Sequence, residues 1–224
     1  MHVDHVSDLI SLIKSSYFGE RSQDMPIFGP TGNHLAPGMT DYMERLVGVN
    51  GLYPYLNNYI TDAPDSSYSK ANYRFKPHDI EPTQGIHTFK FGEFRFKTAD
   101  AQHGNVPALA WSIEYKGKEV LITGDSSGPD YLKEMANAAD LIVAHNSLPQ
   151  AYSGPVERLH MKPEKIGKIV SDTKAHTLYL VTFSKERRHT KSKASRKPNS
   201  KKALTARYPL RAISTVTLSK TYCL

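Results

Sequence analysis

The chain has 224 residues, of which 39% are hydrophobic and one is a cysteine. This length suits one domain or two small ones and is sufficient for a buried core. The single Cys223 excludes a disulfide scaffold and a cysteine-cluster zinc site. No apolar run approaches the roughly 18 residues of a membrane-spanning helix, and no secretory leader opens the sequence as given. We therefore expect no membrane span and a cytoplasmic protein, whereas an exported form would need a leader upstream of Met1.

The positive charge of the chain is concentrated near its C-terminal end. Lys and Arg number 29 against 22 Asp and Glu, but residues 183–224 contain twelve of the basic residues and one acid, Glu186. We therefore predict an incomplete folded domain at 1–182, which is mildly acidic, and a basic tail at 183–224 that is disordered or divergent. The tail residues that are candidates for binding nucleic acid are Lys191, Lys193, Arg196 and Lys197.

Hydrophobic spacing predicts strands and helices throughout residues 1–182. In chain order, the predicted elements are a helix at 4–17, a strand at 26–28, helices at 40–47 and 53–60, a loop at 62–70, hairpins at 85–96 and 106–123, a helix at 129–137, a strand at 141–144, a helix at 163–172 and a strand at 177–181. Paired strands followed by strand–helix units indicate an α/β layer architecture. The aromatic residues at 89–96 are interpreted as sheet packing, in preference to a platform for stacking bases.

The first five residues place two imidazoles and a carboxylate directly before the first predicted helix. His2, Asp4 and His5 combine nitrogen and oxygen donors that suit Zn²⁺ or a related divalent ion. Taken alone, the pattern is equally consistent with an accidental or tag-derived run of histidines.

Four further polar residues stand at predicted strand ends or helix starts, where ligands converge at the rim of an α/β sheet. They are His103, Asp125, His145 and His160. The alternative for each is structural, because a histidine can cap an element or fill a core and an aspartate after a glycine can belong to a simple turn.

In its order, this set of residues resembles the metallo-β-lactamase superfamily, nearest to its ribonuclease Z-like branch. The resemblance implies an αββα sandwich that lacks its N-terminal strands. It implies one or two Zn²⁺ ions, or Mn²⁺, with these ligands: His2, Asp4, His5, His103 and Asp125. His145 resembles a histidine that supports the ligands from behind, and Phe28–Gly32 resembles a loop of the same branch.

Two departures from the family pattern accompany the resemblance. Met1 occupies the position after the first of the family's leading histidines, so that histidine is absent. Thr182 stands where the last metal-binding histidine belongs. Each of the two implied metal sites therefore lacks one histidine, which predicts weaker metal binding and impaired activity.

The resemblance implies a metal-dependent hydrolase that directs a metal-bound hydroxide at a phosphodiester or ester, in RNA or a small molecule. Asp4 would orient the water or accept its proton, and His160 would protonate the leaving oxygen. The stretch from His103 to Asp125 is too short for the tRNA-clamping arm of ribonuclease Z. The alternative is a non-catalytic protein that binds nucleic acid through its tail, or an inactive remnant. Loss of N-terminal strands would expose a sheet edge, so we also expect a tendency to form homo-oligomers.

Overall fold

The computed structural model describes residues 2–61, 73–83, 85–171 and 173–181, together with the backbone of 213–217. The helices are α1 (Val3–Ser15), α2 (Met39–Val47), α3 (Asp130–Ala138) and α4 (Pro163–Val170), with 3₁₀ turns at Ser16–Phe18, Pro54–Tyr59 and Pro155–Arg158. The strands are β1 (Met25–Pro30), β2 (Phe75–Ile80), β3 (His87–Phe91), β4 (Phe94–Asp100), β5 (Leu109–Tyr115), β6 (Lys118–Ile122), β7 (Leu141–His145), β8 (Thr177–Val181) and β9 (Ile213–Thr217).

The strands form a large sheet and a small one. The large sheet has the order β3-β4-β5-β6-β7-β8-β9, and the small sheet pairs β1 with β2 in parallel. Strands β3 to β6 are joined as antiparallel hairpins, and the turn between β5 and β6 uses Lys116 and Gly117, both at positive φ. Strands β6, β7 and β8 are parallel, and the intervening chain forms α3 and α4, as parallel connections require.

Each sheet packs its helices on one face. On the large sheet, neighbouring strands contribute buried residues to a core shared with α3 and α4, and these strand residues are Ala99, Ala110, Leu121, Ile142 and Leu178. A second core joins the small sheet to α1 and α2, and its fully buried side chains include Ile13, Met43 and Phe75. The predicted apolar stripe of the first helix, which includes Leu9, Ile10 and Ile13, faces this second core.

The free faces of the two sheets meet through aromatic side chains. The ring of Phe28 on β1 lies 5.1 Å from Phe89, 6.2 Å from Phe96 and 6.3 Å from Trp111, measured between centroids. Helices therefore flank two facing sheets, which confirms the predicted α/β sandwich. The aromatic run pairs within the β3–β4 hairpin, where Phe89 and Phe96 are register partners.

Most predicted elements are confirmed, with three differences. Residues 54–59 form a 3₁₀ turn where an α-helix was predicted. Strand β2 was not predicted, because Pro77 and the polar residues after it interrupt the apolar alternation that identifies strands. Strand β9 lies within the predicted tail and pairs antiparallel with β8, while the predicted loop at 62–70 lies outside the described residues.

Within the described part of the chain, no helix is long and apolar enough to cross a bilayer. Among the described residues, the small sheet contains two strands, β1 and β2. The expected loss of N-terminal strands, the expected self-association and the domain boundary at residue 182 stay predictions.

The core of the large sheet provides a test of this packing. Leu132 on α3 is fully buried, so Leu132→Ala should lower the free energy of unfolding by about 2–5 kcal/mol. Leu52 is 70% exposed, and Leu52→Ala should change the same quantity by less than about 0.5 kcal/mol. Urea unfolding followed by circular dichroism measures both, and similar losses for the two variants would contradict the packing described above.

Candidate metal centre

The candidate site lies at one edge of the large sheet. Strands β4, β6 and β7 run in the same direction, so their carboxyl ends share an edge. His103 follows β4, Asp125 follows β6 and His145 ends β7. The start of α1 brings His2 and His5 to this edge from the other layer. The residues that the sequence singled out therefore converge where the two layers meet.

Asp125 occupies the centre of this group, and its side chain is 8% exposed. Its Oδ2 lies 3.0 Å from Nε2 of His5 and 3.6 Å from Nε2 of His103. Its Oδ1 is in direct contact with Nδ1 of His145 and lies 3.7 Å from Nδ1 of His160. Gly124, at φ +56°, makes the sharp turn that directs this carboxylate inward after β6. One buried carboxylate is thus surrounded by four imidazoles.

The orientation of His103 is fixed by a backbone carbonyl. A carbonyl oxygen can only accept, so Nδ1–H of His103 donates to the oxygen of Leu159 over 2.8 Å. In the neutral ring, Nε2 then carries a lone pair, and it points at Nδ1 of His2, 3.1 Å away, as well as at Asp125. Metal-binding histidines in proteins are typically held by such a hydrogen bond on the other ring nitrogen.

The loop that presents His103 is fixed on both sides. Gln102 has φ +52°, a left-handed conformation that is uncommon for a residue with a side chain. Its N–H donates to Oδ1 of Asp100 over 2.8 Å, and its carbonyl accepts from the N–H of Ser127. Ser126 Oγ–H donates to the carbonyl of Ala101 over 2.7 Å. These bonds hold a backbone turn that directs His103 toward Asp125.

His145 is held through both of its ring nitrogens. Its Nε2 lies 2.9 Å from Oγ of Ser147, while Nδ1 faces Asp125. Its backbone N–H donates to Oγ1 of Thr123 over 3.1 Å, which ties the end of β7 to the end of β6. His145 therefore contacts the central carboxylate directly, a position that suits both a residue supporting Asp125 and a metal ligand beside it.

Asp4 and His160 lie at the margin of the group. The side chain of Asp4 is 62% exposed, and its Oδ2 is 3.7 Å from Nε2 of His5. His160 is half-buried, its ring packs edge-on against those of His103 and His145, and its Nδ1 has no hydrogen-bond partner among the described residues. Both side chains border the group without entering either three-residue set described below.

Burial favours the neutral form of four imidazoles of the site. Removal from water lowers the pKa of His103 and His160, and it lowers the pKa of His145 to about 4, with neighbouring histidines adding to the effect. The pKa of His2 is lowered by burial and by the adjacent His103. Neutral imidazole is the form that binds metal, so these lowered pKa values are compatible with metal binding at the site.

Two sets of three donors fit a divalent cation. The first is His2, His103 and Asp125, and the second is His5, Asp125 and His145; within each set the ligand atoms lie within 4.8 Å of one another. Imidazole and carboxylate donors suit Zn²⁺ and related ions. The donor chemistry therefore fits the ion that the sequence resemblance implies, and Asp125 belongs to both sets.

The sequence predicted which residues gather around Asp125, but it did not predict the contacts that orient them. The predicted ligands His2, His5, His103 and Asp125 lie together, and Asp4 lies outside both sets. The role of Leu159 has no sequence signal, because it uses only the backbone carbonyl. The contact of His145 could have been anticipated from its place at the end of the strand next to β6. The candidate nucleic-acid residues lie outside the described residues, and they are Lys191, Lys193, Arg196 and Lys197.

Comparison with known proteins identifies the family. The family model described as "Beta-lactamase superfamily domain" matches residues 1–183. The chain belongs to the β-lactamase superfamily. Curated relatives include ribonuclease Z of Thermoplasma volcanium and of Thermoplasma acidophilum, at 21% and 22% identity over 231 aligned positions, with 82% of this chain covered in both. These relatives confirm the ribonuclease Z-like resemblance and support metal-dependent hydrolysis at the level of the family.

Solved structures of the superfamily share the fold. YhfI, a metallo-β-lactamase-fold protein from Bacillus subtilis, superposes with a TM-score of 0.55 at 20% identity, covering 80% of this chain and 60% of YhfI. The short form of human tRNase Z has a TM-score of 0.55 at 21% identity, covering 75% of this chain and 64% of that enzyme. This superfamily member spans 67% and 66% of the two curated ribonuclease Z relatives.

The lowered pKa values predict how acid affects the metal-free protein. In the unfolded chain, histidines take up protons near pH 6.5, whereas folded His145 does so near pH 4. Between these values the unfolded state binds more protons, so the free energy of unfolding should fall as the pH is lowered from about 6.5 to about 4. Thermal unfolding of chelator-treated protein across this range measures the effect. A midpoint that does not change from pH 7 to pH 4.5 would contradict it.

Proposed function

We propose that this protein is a metal-dependent hydrolase that cleaves a phosphodiester or ester bond at the cluster around Asp125, with Zn²⁺, or Mn²⁺, as its ion. The observation that supports this most strongly is the buried carboxylate of Asp125, which has imidazoles against both of its oxygens. Burying a carboxylate is unfavourable unless it is compensated, and the lowered pKa values of His103 and His145 favour the neutral forms of these two rings. A divalent cation would supply the missing charge.

Three residues would form the first binding set for the ion. His103 offers the lone pair of Nε2 because Leu159 accepts its other proton. His2 and Asp125 complete a three-donor set, which is the number of protein ligands that catalytic zinc sites keep. A bound divalent ion polarises the scissile group and lowers the pKa of a coordinated water toward about 7.

We assign proton transfer to two side chains at the margin. Asp4 is exposed at the start of α1 beside His5, where its carboxylate would orient a water or accept a proton from it. His160 faces Oδ1 of Asp125, and its Nδ1 is not engaged by the described residues. We assign to the protonated form of His160, which its lowered pKa makes the minor form at neutral pH, the donation of a proton to the leaving oxygen.

The substrate class rests on the relatives. The curated proteins similar to this chain are named ribonuclease Z, and one superposed structure is a tRNase Z. A phosphodiester is therefore the first substrate to test, with a simple ester as the second. The alternative of a nucleic-acid-binding tail concerns residues outside the described part of the chain, and no contact among the described residues favours it.

Replacing the shared carboxylate tests the proposal directly. Asp125→Asn keeps the shape but removes the charge, so hydrolysis of bis(p-nitrophenyl) phosphate in Zn²⁺ or Mn²⁺ should fall by more than the 10–100-fold typical of losing a supporting residue. Chelation should abolish the activity of the unaltered protein. The matched control is Asp41→Asn, which removes an exposed carboxylate paired with Arg45. Equal activity of the unaltered protein and Asp125→Asn would refute the proposal.

The role of His160 depends on the leaving group. An alkoxide leaving group needs a proton in the transition state, whereas nitrophenolate leaves without one. His160→Ala should therefore lower kcat on a dinucleotide by about 10²–10⁴-fold and lower it much less on bis(p-nitrophenyl) phosphate. His176→Ala, which removes an exposed histidine directly before β8, at the amino end of the parallel strands and opposite the cluster, is the control. Equal losses on both substrates would count against proton donation by His160.

A further inference from the structure

His145 occupies a specific place at the sheet edge. It is the last residue of β7, and its register partner on the adjacent parallel strand β8 is Val181, the last residue of that strand. On the other side, β7 pairs with β6, which leads into Asp125. The side chain of His145 is 9% exposed and contacts Oδ1 of that carboxylate.

The ring of His145 has the arrangement expected of a metal ligand. Ser147 Oγ lies 2.9 Å from Nε2 and can accept its proton, which would leave the lone pair of the neutral ring on Nδ1. Nδ1 faces Asp125, and His5 approaches the same carboxylate from α1 with Nε2 3.0 Å from Oδ2. The ligand atoms of the three residues lie within 4.8 Å of one another.

We propose that His145 is a direct ligand, together with His5 and Asp125, in the second of the two metal sites that the resemblance implies, for a transition ion such as Zn²⁺, and that Ser147 positions the His145 ring. The inference rests on the proposed function, because Asp125 would be shared with the first set. It goes further by moving His145 from a supporting role to direct coordination. Two imidazoles and one carboxylate leave a coordination position open for water or substrate.

The competing explanation for the same contact is a hydrogen bond. If Nδ1 of His145 carries the proton, it donates to Asp125 and only orients that carboxylate. The two explanations differ in what an asparagine at this position would do. The amide nitrogen of asparagine occupies nearly the same place as Nδ1 of histidine, so His145→Asn preserves a hydrogen-bond donor but loses the imidazole ligand.

The number of metal ions bound by the full chain distinguishes metal coordination by His145 from a hydrogen bond to Asp125. Chelator-treated protein is titrated with Co²⁺, the visible d–d absorption is followed, and bound metal is counted by elemental analysis after dialysis. We expect two ions per chain in the unaltered protein and in His176→Ala, and one ion in His145→Ala and His145→Asn. Ser147→Ala should retain both ions but weaken binding of the second by about 10–100-fold, as loss of a ring-orienting partner typically does.

Several results would overturn the inference. Two ions bound by His145→Asn with unchanged affinities would identify His145 as a hydrogen-bond donor. A single ion in the unaltered protein would equally reject the second site. A Ser147→Ala variant with unchanged affinities would reject the positioning of the His145 ring by Ser147. Circular dichroism verifies folding, and if His145→Ala does not fold, His145→Asn and Ser147→Ala decide the question.

The result of the metal titration does not depend on whether the protein hydrolyses a substrate. Two ions bound by the unaltered protein, with loss of one in His145→Asn but no hydrolysis of phosphodiester or ester, would support the second site and reject the proposed function. Metal-dependent hydrolysis with a single bound ion would do the reverse.

Discussion

The placement of one carboxylate constrains the whole site. Asp125 is buried at the carboxyl edge of the large sheet, in contact with imidazoles that come from both layers of the sandwich. A buried charge of this kind is stable only when compensated, and removing its partners is strongly destabilising. The contact between Asp125 and His5 therefore links the start of α1 to the end of β6, although 120 residues separate them in sequence.

Each of the two hydrophobic cores holds some of the residues around Asp125 in position. The core beneath α3 and α4 fixes the directions of β4, β6 and β7, and so the positions of His103 and His145. The core beneath α1 fixes the first turn of that helix, because Ile13 is buried two turns farther along. The geometry of the cluster depends on the contact between the two layers, which Phe28 makes against the β3–β5 strands. A change in that aromatic contact would move one half of the donors relative to the other.

The sequence predicted the parts of the candidate site that follow from residue type together with strand direction. Histidine and aspartate residues that follow strands running in the same direction must meet at one sheet edge, so the gathering of His103, Asp125 and His145 followed from the predicted elements. His2 and His5 at the start of the chain became informative only together with these residues, because their pattern alone was equally consistent with an accidental run of histidines. Strand β2 was missed because its middle is polar and contains Pro77, and its pairing with β1 depends on a partner about 50 residues away.

Contacts that use the backbone were beyond prediction. The carbonyl of Leu159 selects the tautomer of His103 across 56 residues, and any residue type could supply that oxygen. The left-handed conformation of Gln102 could not be predicted either, because glutamine rarely adopts it. Residue types therefore indicated the candidate donors, whereas their protonation states and orientations depend on tertiary structure.

The register of β7 and β8 relates the proposed role of His145 to the departure from the family pattern. The resemblance places its final ligand at Thr182, which has no imidazole and directly follows Val181 in the sequence. His145 is the register partner of Val181 on the neighbouring parallel strand, so His145 and Val181 lie at the same carboxyl end of the sheet. Neighbouring parallel strands lie about 4.8 Å apart, a distance that an imidazole side chain can span. Under the proposal that His145 binds metal, its imidazole would therefore supply from the end of β7 the ligand that the family pattern supplies after β8.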